Sequence, residues 1–178
     1  MARLPNPIPS LTGEDRKIYD RMLARRTQQG AGIYGLYVPL LHNPQLAAHI
    51  EDLGYYYKYE SKLPRDRYQF VVLAFAHEVG AEFEYRDHID HARRAGVPDE
   101  VIAALESDQT IPEPYSTYRR VIHSALAYDN LPSDLQDRMI ADVGVPGLVE
   151  VVTLCGFYTL IAMVNAAFDV PLDEAGHA

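Results

Sequence analysis

Six prolines, Pro44, Pro64, Pro98, Pro114, Pro132 and Pro146, each stand just before a stretch whose apolar residues recur at helical spacing. Proline is tolerated at the first helical position, where its missing N–H would have had no partner. These residues therefore read as helix starts, and Asn43 ahead of Pro44 adds a capping side chain. The spacing predicts helices over 13–28, 44–60, 64–79, 81–95, 98–107, 114–128, 132–142 and 146–168. Glycines 30, 32, 35, 80, 96 and 144 fall between them. No stretch alternates with period two between hairpin turns, so an all-α chain is expected.

A weak internal repeat runs through this pattern. YYYKYESKLPRDRYQFVVLAFAHEVG (55–80) and IHSALAYDNLPSDLQDRMIADVGVPG (122–147) each end a helix with a tyrosine, turn through Leu-Pro-x-Asp and begin another helix. HARRAGVPDE (91–100) parallels NAAFDVPLDE (165–174), with a drift of about five residues between the copies. Helix–Pro–helix segments also look alike by chance, so both duplication and coincidence stand as readings.

A chain of 178 residues is large enough to bury a core as one domain, 1–178. Its formal charge of −9 argues against nucleic acid and anionic membranes as partners. An anionic small molecule would need a local arginine against that field. The lone Cys155 permits no disulfide framework and no Cys-x-x-Cys pair. The opening MARLPNPIPS has no apolar signal core, so a cytoplasmic protein is expected. VVTLCGFYTLIAMV (151–164) is apolar, but spanning a bilayer takes roughly 20 such residues. The expectation is a helix buried on all sides, in the core or between subunits.

Chemistry concentrates in EFEYRDHIDH (82–91), directly after the core-like FVVLAFAHEVG. On a helix Glu84 and His88 are i,i+4 neighbours, and His91 follows on the same stripe. A carboxylate beside an imidazole holds one tautomer and favours the charged ring, which suits proton transfer near neutral pH. A solvated helix face with an ordinary ion pair gives the same spacing. Glu84, His88 and His91 could also direct three donors at a metal, but the Glu-x-x-His pairs of di-iron bundles need a second copy that is missing, so no metal is expected. Glu150 reads as an acid at a helix N-terminus or as one buried in a pocket. Tyr158 needs a hydroxyl partner if buried, and Cys155 reads as a small core residue. Arg65, Arg67, Arg86, Arg93 and Arg94 are the cations available to a substrate carboxylate. The tyrosines at 55, 56, 57 and 59 read as core and interface packing.

The segment 63–105 resembles the core of the carboxymuconolactone decarboxylase family, within the alkylhydroperoxidase D-like superfamily. The matching residues are Leu63-Pro64, Glu84-Tyr85, His88, Ala95-Gly96 and the helix Val101 to Leu105, and the likeness extends over roughly 40–172. It implies an alkylhydroperoxidase D-like multi-helix bundle. One branch of the family is a peroxidase (peroxiredoxin-type) using Cys-x-x-Cys followed by three residues and the histidine. Those cysteine positions here are Ala81 and Glu84, and the branch's acid in the preceding helix is Gln69. Dithiol chemistry therefore has no nucleophile in this site.

The other branch keeps the histidine with an acidic-aromatic pair, as here, and decarboxylates a carboxylated lactone in aromatic catabolism. The resemblance thus implies a cofactor-free lyase. His88 would be the proton donor, Glu84 would orient it, and His91 would be dispensable. Tyr85 and Tyr158 would serve as oxyanion donors, and Gln69 and Glu150 are counted with them as substrate-contacting candidates. It also implies a homo-oligomer, a trimer or a dimer of trimers. A peroxidase and a non-catalytic helical oligomer binding a small ligand are the alternatives.

Overall fold

A computed structural model describes residues 4–171. They form helices joined by turns, with no strand among the described residues. A 3-10 turn at Ile8–Ser10 precedes α1 (Gly13–Gln28), α2 (Tyr37–Leu40) and α3 (Pro44–Tyr55), which runs into a π-helical turn at Tyr56–Glu60. Then come α4 (Arg65–Val79), α5 (Glu82–Ala95), α6 (Asp99–Glu106), α7 (Tyr115–Leu126) and α8 (Ser133–Ala167).

The prolines act largely as the sequence implies. Pro44 opens α3 behind Asn43, whose side chain accepts from the Leu46 N–H at 3.2 Å. Pro64, Pro98 and Pro114 are the residues just ahead of α4, α6 and α7, and Pro132 stands ahead of α8. Pro146 stands two residues past a break at Gly144, whose φ of 71° and ψ of 173° are non-helical, and opens the second half of α8. The element is thus two helices meeting at a kink, as expected over 132–142 and 146–168. The single turn α2 escaped the sequence reading because four residues are too few to show a periodic pattern.

The described chain divides into two compact units. Residues 4–60 with 161–171 form the first, and 61–160 the second, which holds the whole 63–105 segment. In the first, α1 packs on α3. Arg25 pairs with the buried Glu51 and with Asp52 at 2.6 Å, and lies 5.0 Å over the Tyr55 ring. Within the tyrosine run Tyr57 is buried, while Tyr56 and Tyr59 are exposed.

In the second unit α4 is the central element, packed by α5, α6 and α7. Tyr68 through Ala76 are all buried, and a run of that length turns every face of the helix inward. Gly80 ends α4 in the left-handed region at φ 65°, where a side chain would be strained, and α5 starts in a new direction at Glu82.

Within the protomer α8 is buried along one stripe. On α8 Val151, Leu154, Cys155 and Tyr158 face inward, but Val149 and Leu160 are 55% and 37% exposed, and Gly156 is exposed too. One wall to pack against buries one stripe of a 3.6-period helix, and α8 has one wall. By length and composition α8 is also the described helix able to cross a bilayer, so the length argument drawn from 151–164 does not apply to the complete helix. Two of its carboxylates bond to the rest of the unit: the Ser61 hydroxyl donates to Glu150 at 2.5 Å, and Tyr118 of α7 donates to Asp142 at 2.7 Å.

Arg67, in the first turn of α4, joins three helices. It pairs with Asp66 and, at 3.2 Å, with Asp142 of α8, and it lies 4.9 Å over the Tyr115 ring. Tyr115 donates to Asp66 at 2.9 Å. Burial, with the accepting carboxylate second, pushes the Tyr115 phenol up to about 12, and Tyr118 shifts the same way. Replacing Arg67 by alanine leaves two carboxylates facing each other beside buried phenols. The expected loss of stability is about 2–3 kcal/mol, below the cost of breaking a fully buried pair because the guanidinium is 18% exposed. A urea midpoint equal to wild type would refute this role.

Candidate active site

The inward stripe of α5 carries Glu84, His88 and Ala92, spaced i, i+4 and i+8. Glu84 is 3% exposed and the His88 side chain 14%. Opposite lies α4, whose burial on every face places the polar Gln69 inside the core. A buried amide must be bonded, and the Gln69 carbonyl oxygen sits 2.9 Å from His88 Nδ1. The other ring nitrogen, Nε2, is 3.1 Å from the Tyr158 hydroxyl, which is 3.2 Å from the Tyr68 hydroxyl.

The donor and acceptor types set the direction of this chain. A carbonyl oxygen only accepts, so Nδ1 carries the hydrogen and donates to Gln69. In the neutral ring Nε2 then accepts from Tyr158, whose oxygen in turn accepts from Tyr68. Tyr158 stacks edge-on to His88, with centroids 5.5 Å apart and planes at 84°. Burial raises the Tyr158 pKa well above its usual value, with Tyr68 next and the charges of Asp87 and Glu84 adding to it. Tyr158 therefore stays a neutral phenol able to donate.

The structure brings together His88, Gln69 and Tyr158, with Glu84 close enough for its charge to act on Tyr158. Tyr85 goes elsewhere. Its hydroxyl donates to Glu106 at 2.9 Å, in a separate cavity of about 240 Å³ with His77 and Ala81. Burial, then the Glu106 bond, raises its pKa. Glu150 is buried and takes the Ser61 hydroxyl, which itself accepts from the Leu63 N–H at 3.1 Å, so it fastens the turn that enters α4. His91 is exposed and meets Arg94 at 3.1 Å.

Among the five candidate arginines, Arg67 is held by carboxylates, Arg86 by Glu82, and Arg93 by Asp90 and Asp99. Arg65 lies 4.6 Å over the ring of Tyr68. Cys155 is 3% exposed, and burial pushes its thiol up to about 12. Among the described residues no group of three His, Cys, Asp or Glu is arranged to hold a metal ion. Sequence reasoning missed Tyr68. Its signal was a tyrosine next to Gln69 inside an apolar run, since a buried phenol and a buried amide must each find partners.

No protein-family model matches the chain, and no curated protein matches its sequence. Among solved structures it is similar to the debrominase Bmp8, seen as a cysteine-to-alanine variant in complex with 2,3,4-tribromopyrrole. The TM-score is 0.67 at 18% identity, covering 98% of this chain and 95% of that one. At that identity the likeness shows the fold, an all-α bundle of the alkylhydroperoxidase D-like type.

The directed chain is measurable. In wild type the neutral His88 ring should be the Nδ1–H tautomer by nitrogen-15 shifts, and Gln69→Leu should release the Nε2–H form. Gln69→Glu should move the imidazole's titration midpoint upward relative to wild type, because an adjacent carboxylate favours the charged ring. A wild-type ring protonated at Nε2 would contradict the arrangement.

Proposed function

We propose that this chain is an enzyme of the carboxymuconolactone decarboxylase type, acting without a cofactor on a small carboxylated lactone or a related intermediate of aromatic degradation. The observation that carries this reading is His88, held through Nδ1 by Gln69 and met at Nε2 by Tyr158. A ring fixed at one nitrogen presents the other for proton transfer.

In the proposed reaction the bond to the substrate carboxylate breaks, and its electron pair moves into the conjugated lactone carbonyl as CO₂ leaves. The charged His88 then gives its Nε2 proton to the enolate carbon and ends neutral, keeping Nδ1–H on Gln69. While the ring is charged Nε2–H is a donor, so Tyr158 no longer bonds to it as a donor and can give its hydrogen bond to the enolate oxygen. Glu84 supports the charged ring through its carboxylate. Arg65, stacked on Tyr68, holds the substrate's charged end.

The neighbouring debrominase structure contains a small planar ring, 2,3,4-tribromopyrrole, which supports a ligand of that size in this fold. The dithiol peroxidase reading is disfavoured by Ala81 and Glu84 at the thiol positions and by the buried Cys155. CO₂ release in a screen of lactones and β-keto acids tests the proposal. Replacing His88 by alanine should cost about 10²–10⁴-fold in rate, Glu84→Gln less, and His91→Ala little. Equal rates for His88→Ala and wild type would defeat the assignment. A shift in melting temperature without CO₂ release would favour the ligand-binding alternative.

We also propose that the outward face of α8 seats a second copy of the chain, in a trimer or a dimer of trimers. Val145, Val149 and Leu160 are exposed there, and Glu150 is the one charged residue from 143 to 164 and is turned inward. A Cβ added at Gly156 meets nothing within 4 Å in the protomer. Glycine in a helix interior costs about 1 kcal/mol relative to alanine, and close approach of a neighbouring helix offsets that. Gly156→Leu should dissociate the assembly in sedimentation and leave helicity unchanged. A wild-type monomer at micromolar concentration would overturn this.

A further inference from the structure

A cleft of about 520 Å³ shares no residue with the His88 chain, and its size is within the usual range for small-molecule sites. One wall is a polar stripe of α7, where Ser116, Arg119, Arg120, His123 and Ser124 recur at i, i+3, i+4, i+7 and i+8. The opposite wall is apolar, with Ile111 and Leu135 both buried.

Donors outnumber acceptors in this cleft. Its one lining carboxylate, Glu78, already accepts from Arg119 Nε at 2.8 Å, and its other oxygen is 3.9 Å from His123 Nδ1. Arg119 also donates to Asp108 at 2.7 Å, and that pairing, the largest cause, lowers the Asp108 pKa. The two carboxylates hold Arg119 in place and leave its Nη1 uncommitted. Arg120 is 3.8 Å from Asp134, beyond hydrogen-bond distance. A guanidinium set by carboxylates and a second one beside it favour a ligand with acceptor oxygens. The apolar wall favours one with a hydrocarbon body.

We propose that this cleft binds a small organic anion, a carboxylate carried on an apolar ring or chain. The carboxylate meets Arg119 and Arg120, and the body lies against Ile111 and Leu135.

The test uses the full chain at fixed ionic strength, with benzoate as probe and benzyl alcohol as its neutral counterpart. Amide NMR titration should show saturable shifts confined to α7 and residues 110–111 with benzoate, and no saturation with benzyl alcohol over the same range. Arg120→Gln should weaken benzoate about tenfold, the loss expected for one charge-assisted contact. Ser124→Leu, which fills the cleft without touching charge, should weaken it as well. The proposal is overturned if benzoate does not saturate, if both variants bind it as wild type does, or if the shifts fall around His88 instead.

Discussion

The architecture of the 61–160 unit depends on α4 having no outside. A helix buried from Tyr68 to Ala76 needs neighbours on every side, and α5, α6 and α7 supply them. Any polar group on such a helix loses water on folding and must be bonded by the protein. Tyr68 and Gln69 are those groups. Their needs are met by Tyr158 and His88, so the constraint that organises the core also assembles the proton-transfer chain. Fold and candidate site here come from the same requirement.

Electrostatics around this chain follow from burial. Desolvation keeps Tyr158 neutral, and the nearby carboxylates of Glu84 and Asp87 reinforce that by opposing a phenolate. A neutral glutamine, rather than an acid, holds Nδ1. It orients the imidazole without adding a full charge. Asp87 is 3.7 Å from Nε2. The Arg67 group at the start of α4 is a different kind of feature, since its charges and phenols satisfy one another across α4, α7 and α8. The α7 cleft is different again, because there the donors exceed the acceptors.

Much was legible in the sequence because it depends on local chemistry. Proline fixes φ and glycine alone reaches positive φ without strain, so helix starts and the Gly80 break could be read directly. Glu84 and His88 share a face by helical geometry alone. What the sequence left open is what lies opposite a helix. The apolar run 151–164 read as buried in the core or between subunits; within the protomer α8 buries one stripe, and α4, with a less uniform composition, is the helix enclosed there. Tyr85 was grouped with His88 through the family resemblance, but its hydroxyl turns to Glu106 on α6.

By itself the sequence determined the all-α class, the helix boundaries to within a few residues, and the stripe that presents His88, since each rests on backbone dihedrals and a 3.6-residue period. Only the tertiary structure decided His88's partners. Gln69 lies 19 residues away and Tyr158 70 residues away, and no local rule relates such positions. They meet because burying α4 leaves an amide and a phenol that must be bonded, and α5 and α8 are the helices that reach them.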